Sequence, residues 1–345
     1  MSSLSGAPFT LRIWAEFLSH AEAARPRVVD LLSRFEVGLN ISVPQGSLSP
    51  DLAYLLKTYA SAGLDVALWL LLDDARGYWP SERNVGHFSA YVDEVLNWAG
   101  NQNLPLRWIA VDLEPPYYQV ASHQHDQGLR RLWLVLRLAW ENLDATRFRQ
   151  ATRAYEALQR RIHAAGARTL VPLVEFAVED IVLGDTVMQD LLEAPALSVS
   201  WDLVSCMTYN TMTAGYSQGR ASLADARYLQ YLLLQDLADA LGKRAGASVG
   251  LTGVGKLGDE PTYQDPADLA LDVGTALMAG IRDISIFNLE GILSRPDPTA
   301  WLRPAREAQP TSPTPTPWAA RERRQRQLLA RLLAPLRHRP RRPQT

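Results

Sequence analysis

The stretch Trp108-Ile109-Ala110-Val111-Asp112-Leu113-Glu114 places a continuous apolar run directly before two carboxylates, and Pro115-Pro116 follow. A short apolar run without polar alternation is typical of a strand that is buried on both faces, as in a parallel sheet. Proline cannot donate to a sheet ladder, so the strand is predicted to end before Pro115. Asp112 and Glu114 lie two residues apart, and on a strand both side chains point to the same face.

Seven similar apolar runs lie on either side of this one, and longer helical patterns separate them. The predicted strands are Leu11–Phe17, Val37–Val43, Val66–Leu72, Trp108–Leu113, Leu170–Phe176, Leu203–Tyr209, Ser248–Val254 and Ile284–Leu289. Helix starts are marked by Ser49-Pro50 and Asp265-Pro266, where a capping residue precedes a proline at the first helical position. Eight alternating strand–helix units predict an α/β fold of the (β/α)8 TIM barrel type. A doubly wound open sheet is the alternative arrangement.

The barrel is predicted to be a single domain over residues 1–303. A Pro/Thr-rich linker over 304–317 and a basic tail over 318–345, partly helical or disordered, are expected to follow it. From Arg303 onward the chain has 11 Arg and 2 Glu, and Trp318–Leu336 is predicted to form a helix with leucines along one side. The tail is either a solvated extension or a surface that contacts anionic lipid or another polyanion. Specific nucleic-acid recognition is not expected, because no base-reading motif accompanies the basic residues.

Cysteine content and the amino-terminal residues bear on the compartment. The single cysteine, Cys206, rules out an internal disulfide and a thiolate metal cluster. Residues Met1–Thr10 lack the basic and apolar segments of a signal peptide, and no apolar run is long enough for a membrane span. These features predict a soluble, cytoplasmic protein.

Chemistry in a (β/α)8 barrel is carried by residues at the carboxyl ends of the strands. The polar residues that end the predicted strands are mostly carboxylates and amides: Glu16, Asn40, Asp73, Asp74, Asp112, Glu114, Glu175, Tyr209, Asn210, Asn288 and Glu290. This set contains no histidine, so neither a metal nor another cofactor is predicted. Paired carboxylates with amides and aromatic residues instead suit the cleavage of glycosidic bonds.

Asp112 and Glu114 form the most informative pair in this set. Two carboxyl groups this close cannot both ionise readily, which raises the apparent pKa of the pair. A carboxyl that stays protonated near neutrality can donate its proton to a leaving oxygen. The other interpretation is that the two residues belong to a structural ion-pair network.

Asp112-Leu113-Glu114 on the fourth strand, followed by Met207-Thr208-Tyr209-Asn210 on the sixth, resembles the family 18 glycoside hydrolases, the chitinase-like barrels. That family carries Asp-x-x-Asp-x-Asp-x-Glu on strand four and Met-x-Tyr-Asp or Met-x-Tyr-Asn on strand six. The resemblance extends from Leu11 to about Leu293, with the motifs in the same order. Its specific motifs are those of strands four and six.

The resemblance implies a substrate-assisted, retaining hydrolysis of a β-linked and N-acetylated glycan. In that mechanism Glu114 protonates the glycosidic oxygen. Asp112 orients the N-acetyl group that acts as the nucleophile, and Tyr209 hydrogen bonds to it. The expected ligand is an oligosaccharide or polysaccharide, bound by the other strand-end residues and one nearby aromatic: Asn210, Asp73, Asp74, Trp79, Glu175, Asn288 and Glu290.

Three positions depart from the family pattern. The family's inner aspartate, two residues before Asp112, is Ala110 here. Leu72-Asp73-Asp74-Ala75 stands in place of Ser-x-Gly-Gly at strand three, and strand eight has Phe287 or Asn288 where the family has tryptophan. A substrate pocket that differs from that of the family is therefore expected.

Two other functions use the same barrel. In clan-A glycosidases Glu114 would act with a second glutamate, and Glu175 or Glu290 would have to supply it because the predicted seventh strand ends without one. The other is a non-catalytic carbohydrate-binding or scaffold protein, in which Asp112 and Glu114 would no longer catalyse a reaction.

Two short motifs are weaker signals. Gly253–Gly258 matches G-x-G-x-x-G, but Asp259-Glu260-Pro261 follows where a dinucleotide site needs a helix, so a turn is predicted. His123-Gln124-His125-Asp126 could be a metal site, but it is predicted to be a solvated loop because no further histidine falls at a strand end.

Overall fold

The computed structural model describes residues 9–115, 117, 119 and 137–338. Its strands close into a barrel in chain order, and every neighbouring pair is parallel. The strands are β1 (Thr10–Ala15), β2 (Val37–Pro44), β3 (Val66–Leu71), β4 (Trp108–Ala110), β5 (Arg168–Val174), β6 (Leu203–Thr208), β7 (Ala245–Gly250) and β8 (Asp283–Phe287). The predicted (β/α)8 barrel is therefore confirmed, and the open sheet is excluded.

Helices cover the outside of the barrel. Those with assigned bounds are α1 (His20–Ala23), α2 (Pro26–Arg34), α3 (Pro50–Ser61), α4 (Val85–Asn101), α5 (Ala145–Ala164), α6 (Val178–Leu183), α7 (Val187–Leu191), α8 (Asn210–Gly215), α9 (Leu223–Leu241), α10 (Pro266–Met278), α11 (Leu289–Leu293), α12 (Thr299–Arg306) and α13 (Pro317–Leu333). Residues 137–142 are also helical. Short 3-10 helices cover Asp74–Arg76, Glu175–Ala177, Gly242–Arg244 and Ala334–His338.

The predicted helix starts are present. The Ser49 hydroxyl accepts a hydrogen bond from the Leu52 amide at the start of α3, and Asp265 accepts one from the Ala267 amide at the start of α10. In both helices a proline occupies the first turn, where its missing N–H leaves no hydrogen bond unmade. Local sequence therefore determines where these two helices begin.

Side chains that face the barrel axis form layers, and the lowest layers are filled. At the amino ends of the strands, Arg12 pairs with Asp283 at 3.1 Å and its guanidinium lies 4.7 Å from the ring centroid of Trp108. In the next layer the hydroxyls of Ser205 and Ser248 hydrogen bond at 2.9 Å. Because these layers fill the lower barrel, the space for a ligand is expected toward the carboxyl ends of the strands.

The carboxyl-terminal segment returns to the barrel. The helix predicted over Trp318–Leu336 is present as α13, and it packs against α6, α7 and α9. Leu329, Leu333 and Leu336 on one side of this segment join an apolar cluster with residues of α7. Among the residues described, no helix combines the length and the apolar character needed to cross a membrane.

Candidate active site

Asp112 and Glu114 lie directly above the carboxyl end of β4. The regular strand ends at Ala110, three residues earlier than predicted, although the Val111 amide still donates to the Leu170 carbonyl at 2.8 Å. The chain then turns, and the carboxyl groups of Asp112 and Glu114 lie close enough for each to shift the pKa of the other. Asp112 is buried and Glu114 is half-buried. The predicted acidic pair is thus formed at the mouth of the barrel.

Trp69 holds Asp112 from the neighbouring strand. Its indole Nε1 donates to Asp112 Oδ2 at 2.9 Å, and the bond is buried. Trp69 is the register partner of Ala110 between β3 and β4, and both side chains belong to the apolar cluster inside the barrel. The position below Asp112, where the resembled family has a carboxylate, is therefore flanked by an indole here.

Burial and mutual repulsion raise the pKa values of both carboxyl groups. Burial raises the pKa of Asp112 to about 7, although the hydrogen bond from Trp69 opposes the shift. Burial also raises the pKa of Glu114 well above its ordinary value, and the negative charges of Asp112 and Glu16 raise it further. Near neutral pH the pair therefore retains at least one proton, which a reaction at Glu114 can use.

Glu16 is a third carboxyl at this end of the barrel. It follows β1, and its Oε1 accepts a hydrogen bond from the Tyr78 hydroxyl at 2.8 Å. Burial raises the pKa of Glu16 to about 8, against the lowering effect of that hydrogen bond. Tyr78 has a φ of 64°, a left-handed conformation that bulky residues rarely adopt. Glu16 ended a predicted strand but was not selected as a site residue; its position after β1 was the available signal.

The three carboxyl groups line a cavity of about 180 Å³. Aromatic rings form much of its wall: Trp14, Trp69, Trp79, Tyr209 and Phe287. The rings of Trp14 and Trp69 meet edge to face with 5.1 Å between centroids, and those of Tyr209 and Phe287 lie 5.6 Å apart. Rigid rings beside polar groups suit a sugar, which has both apolar faces and hydroxyl edges.

Tyr209 faces the carboxyl groups from β6. Burial raises the pKa of its hydroxyl well above the ordinary value, and the charges of Glu114, Asp112 and Glu16 act in the same direction. Its hydroxyl therefore stays protonated and is able to donate a hydrogen bond within the cavity.

The loop after β7 forms another wall of the cavity, and it contains the glycine motif. Gly255, Lys256 and Glu260 line the cavity, and the motif forms a loop, as predicted, with no helix starting within it. Lys256 Nζ lies 4.1 Å from the ring centroid of Tyr78 and pairs with Asp74 at 2.9 Å. The Glu260 carboxylate accepts hydrogen bonds from the amides of Leu257 and Gly258, which fixes the loop. The sequence interpretation of this motif did not include the contribution of Lys256 to the cavity.

The structure brings five of the predicted site residues together at the cavity: Asp112, Glu114, Tyr209, Trp79 and Glu175. Glu175 comes from the 3-10 helix after β5 and forms an ion pair with Arg326 of α13 at 2.8 Å. Trp79 packs edge to face against Tyr78, with 5.3 Å between ring centroids.

Five other predicted residues do not line the cavity. Asp73 and Asp74 are exposed, because the chain turns outward after β3 into a 3-10 helix. Asn210 starts α8 and donates to Gln230 of α9 at 2.7 Å, away from the cavity. Asn288 caps α11 and donates to the Val254 carbonyl, while Glu290 accepts from the amides of Phe17 and Leu18. The last two residues tie together the loops that surround the cavity.

No group of three or more His, Cys, Asp or Glu side chains in the described part of the chain is arranged to hold a metal ion. The segment His123–Asp126 lies outside the described residues.

Comparisons with known proteins identify similar folds. No protein-family model matches the chain, and no curated protein matches its sequence. Among solved structures, the chain resembles the glycoside hydrolase domain of PgaB (BpsB) from Bordetella bronchiseptica, with a TM-score of 0.51 and 12% identity over 88% of this chain and 100% of that one. It also resembles the spore cortex-lytic enzyme SleL from Bacillus megaterium, with a TM-score of 0.52 and 10% identity over 90% of this chain and 77% of that one. For the β-glycosidase BGL167 the TM-score is 0.50 and the identity 14%, over 90% of this chain and 99% of that one. The chain is therefore similar in fold to barrel proteins that include glycoside hydrolases, at an identity that shows the fold alone.

Proposed function

We propose that the protein is a glycoside hydrolase that cleaves a β-linked, N-acetylated glycan, with Glu114 as the proton donor. The observation that carries the proposal is the Asp112–Glu114 pair, with Asp112 buried and Glu114 half-buried, which lines an aromatic cavity and holds a proton near neutrality. The names of similar structures agree with a carbohydrate ligand, since two of them are described as glycoside-cleaving proteins.

The first step breaks the glycosidic bond. The Glu114 proton passes to the glycosidic oxygen as the bond from that oxygen to the anomeric carbon breaks. The carbonyl oxygen of the substrate's own N-acetyl group attacks the same carbon and closes a five-membered ring. Asp112 accepts a hydrogen bond from the N–H of that group and balances its developing positive charge. The Tyr209 hydroxyl donates a hydrogen bond to the carbonyl oxygen of the N-acetyl group. This bond orients the N-acetyl group for the attack.

The second step restores the enzyme. A water molecule attacks the anomeric carbon from the side that the leaving group has vacated, and the ionised Glu114 accepts its proton. The ring opens, the N-acetyl group re-forms, and the configuration at the anomeric carbon is retained. Because the nucleophile belongs to the substrate, this mechanism needs no second carboxylate on the opposite side of the sugar.

Aromatic and charged side chains around the pair bind the sugar rings in this proposal. Trp79 and Phe287 offer faces for stacking, and Glu175 offers a carboxylate to a hydroxyl group. Chitin oligomers are the first ligands to test, because they carry both the β-linkage and the N-acetyl group.

The decisive experiment compares wild type with Glu114→Gln on N-acetylglucosamine oligomers and on oligosaccharides that lack N-acetyl groups. Glu114→Gln removes the transferable proton and should lower kcat by about 100-fold or more, with a smaller change in binding. Glu94→Gln, the same change at an exposed position of α4, is the control. A wild-type protein that binds oligomers and cleaves none is a carbohydrate-binding protein, and full activity in Glu114→Gln excludes Glu114 as the donor.

The outer face of α13 suits a contact with an anionic surface, which we propose as a second property of the chain. Exposed arginines and leucines follow one another along this face: Arg321, Arg324, Leu328, Arg331 and Leu332. Their spacing keeps them within about one third of the helix circumference.

A further inference from the structure

The barrel lacks a long helix between β5 and β6. The connection contains α6, with six residues, and α7, with five, whereas the helices on either side, α5 and α9, have 20 and 19. The 17-residue helix α13 packs against α6, α7 and α9. A helix from the carboxyl-terminal part of the chain, α13, thus covers the side of the barrel where the β5–β6 connection supplies only short helices.

Charged groups bind α13 to this position. Arg323 pairs with Asp236 of α9, and Gln327 donates to Glu179 of α6 at 3.0 Å. Arg337, just beyond the helix, pairs with Asp190 at 2.7 Å. Burial raises the pKa of Asp190, while its ion pair with Arg337 opposes that shift. Removing one partner of a partly buried ion pair lowers the stability of the protein strongly, because the other charge is left in a poorly solvated place.

Arg326 connects α13 to the cavity. Its side chain is 6% exposed, its guanidinium lies 4.1 Å from the ring centroid of Phe176, and one nitrogen donates to Glu175 Oε1 at 2.8 Å. A second nitrogen donates to Glu322, one turn earlier on the same helix, at 3.1 Å. The guanidinium is therefore held in one orientation by a ring, by its own helix and by Glu175.

Glu175 is the residue of the cavity wall that α13 contacts. It stands beside Val174 where β5 passes into the 3-10 helix, and both residues line the cavity. Oε1 is engaged by Arg326, and Oε2 takes no hydrogen bond from the residues that the structure describes. A carboxylate with one fixed oxygen and one open oxygen can accept a hydrogen bond from a sugar hydroxyl without reorienting.

We infer that α13 is part of the substrate site, and that Arg326 is a positioning residue that holds Glu175 for a sugar hydroxyl in the cavity. The identity of the ligand rests on the proposed function; the connection between α13 and the cavity wall does not. The basic tail is then an integral part of the site, in addition to any role of its outer face.

Cys206 gives a readout of this connection that does not depend on any substrate. It is the only cysteine of the chain, it is buried on the outer side of β6, and it lies close enough to Glu175 and Arg326 to interact with their charges. Its thiol can react with a disulfide reagent such as DTNB only when the covering layer opens. The rate of that reaction in the native protein therefore reports how readily the structure around the Glu175–Arg326 pair opens.

The test compares Arg326→Met, Arg326→Lys and Glu175→Gln with Arg331→Met, a control at an exposed position of the same helix. Arg326→Met should accelerate the reaction of Cys206 with DTNB by about tenfold or more, and Arg326→Lys by less, because it keeps the charge. With N-acetylglucosamine tetramer as the probe, Arg326→Met and Glu175→Gln should each raise KM by about tenfold and change kcat little. The double variant should be no worse than the worse single variant, because both changes remove one interaction.

Several results would overturn the inference. One is wild-type thiol reactivity together with wild-type KM in Arg326→Met. Another is an additive effect in the double variant. A fall in kcat of about 100-fold in Glu175→Gln would make Glu175 a catalytic carboxylate and not a binding one.

If Arg326→Met does not fold, Glu175→Gln and Arg326→Lys decide between the same outcomes. If wild type neither binds nor cleaves the tetramer, the ligand assignment fails with the proposed function, and the thiol reaction alone decides whether Arg326 holds α13 in place.

Discussion

Trp69 gives Asp112 a fixed donor in a place where the resembled family has another carboxylate. An indole N–H can only donate, so it stabilises the acceptor form of Asp112 and fixes one of its two oxygens. Trp69→Phe should lower kcat by roughly 10- to 100-fold, the usual effect of losing one hydrogen bond to a charged group. Trp108→Phe is the control, because that buried indole makes no hydrogen bond within the described structure. Equal losses in the two variants would mean that ring packing, and not the hydrogen bond, is what matters.

Glu16 should make the stability of the protein depend on pH. Burial raises its pKa from the ordinary 4.5 to about 8, so folding takes up a proton between these two values. The stability contributed by this proton is fully present below pH 4.5 and is lost as the pH rises toward 8. Glu16→Gln cannot ionise, so its free energy of unfolding relative to wild type should increase from pH 5 to pH 8, by at most about 1.4 kcal/mol per pH unit.

Urea unfolding of both proteins at pH 5 and pH 8 checks this expectation. Glu94→Gln, at an exposed position, should give the same difference from wild type at both pH values. Parallel curves for Glu16→Gln and wild type would show that Glu16 ionises in the folded protein as easily as in the unfolded chain.

Whether the sequence could predict a site residue depended on the direction that the backbone takes just after the strand. Asp112 and Tyr209 follow their strands closely, so the rule that chemistry lies at strand ends selected two residues that line the cavity. Asp73 also follows its strand, but the chain turns outward there, and no local residue signals the direction of that turn. Trp69 lies within a strand and looks like an ordinary core residue until its partner just beyond the neighbouring strand is known.

At the scale of elements, the strands were predictable where they are rich in branched residues. β2 and β3 lie within one residue of their predicted bounds. The seventh strand was predicted over Ser248–Val254 and is observed over Ala245–Gly250, because small residues at its start give little strand signal. That shift moves the glycine motif out of the strand and into the loop beside the cavity, where it has a different role.

The loop after β7 should control access to the cavity through Gly255. A Cβ at this position would lie 3.0 Å from Glu260 Oε1 and 3.1 Å from the Phe287 ring, so the cavity wall would have to shift. Gly255→Ala should raise KM by about three- to tenfold with a smaller effect on kcat. The matched change Gly258→Ala meets no atom, but its φ of 84° is strained for alanine, so it should cost about 1 kcal/mol of stability and leave KM unchanged. An unchanged KM in Gly255→Ala would show that this loop moves freely.

At the scale of the whole molecule, sequence reasoning could identify the helix of the tail but not its partners. The leucine periodicity predicted α13. The linker predicted over 304–317 is non-helical from 307 to 316, but its first three residues belong to α12 and Pro317 already starts α13. The ion pairs of Arg326 with Glu175 and of Arg337 with Asp190 join residues about 150 positions apart. Such pairs are set by the closed barrel and not by local sequence, so only a three-dimensional structure reveals them.

The two faces of α13 should therefore behave differently toward anionic membranes. Arg326 is directed toward the barrel, whereas Arg321, Arg324 and Arg331 are exposed. Replacing these three exposed arginines with alanine should reduce co-sedimentation with phosphatidylserine vesicles by about tenfold or more at low salt, since each basic residue near such a surface contributes about 1 kcal/mol. The same triple change at the exposed arginines of α5, Arg149, Arg153 and Arg160, alters the net charge equally and should have little effect. If both triple variants lose binding to the same extent, net charge alone explains the attraction, and the outer face of α13 is not a specific contact surface.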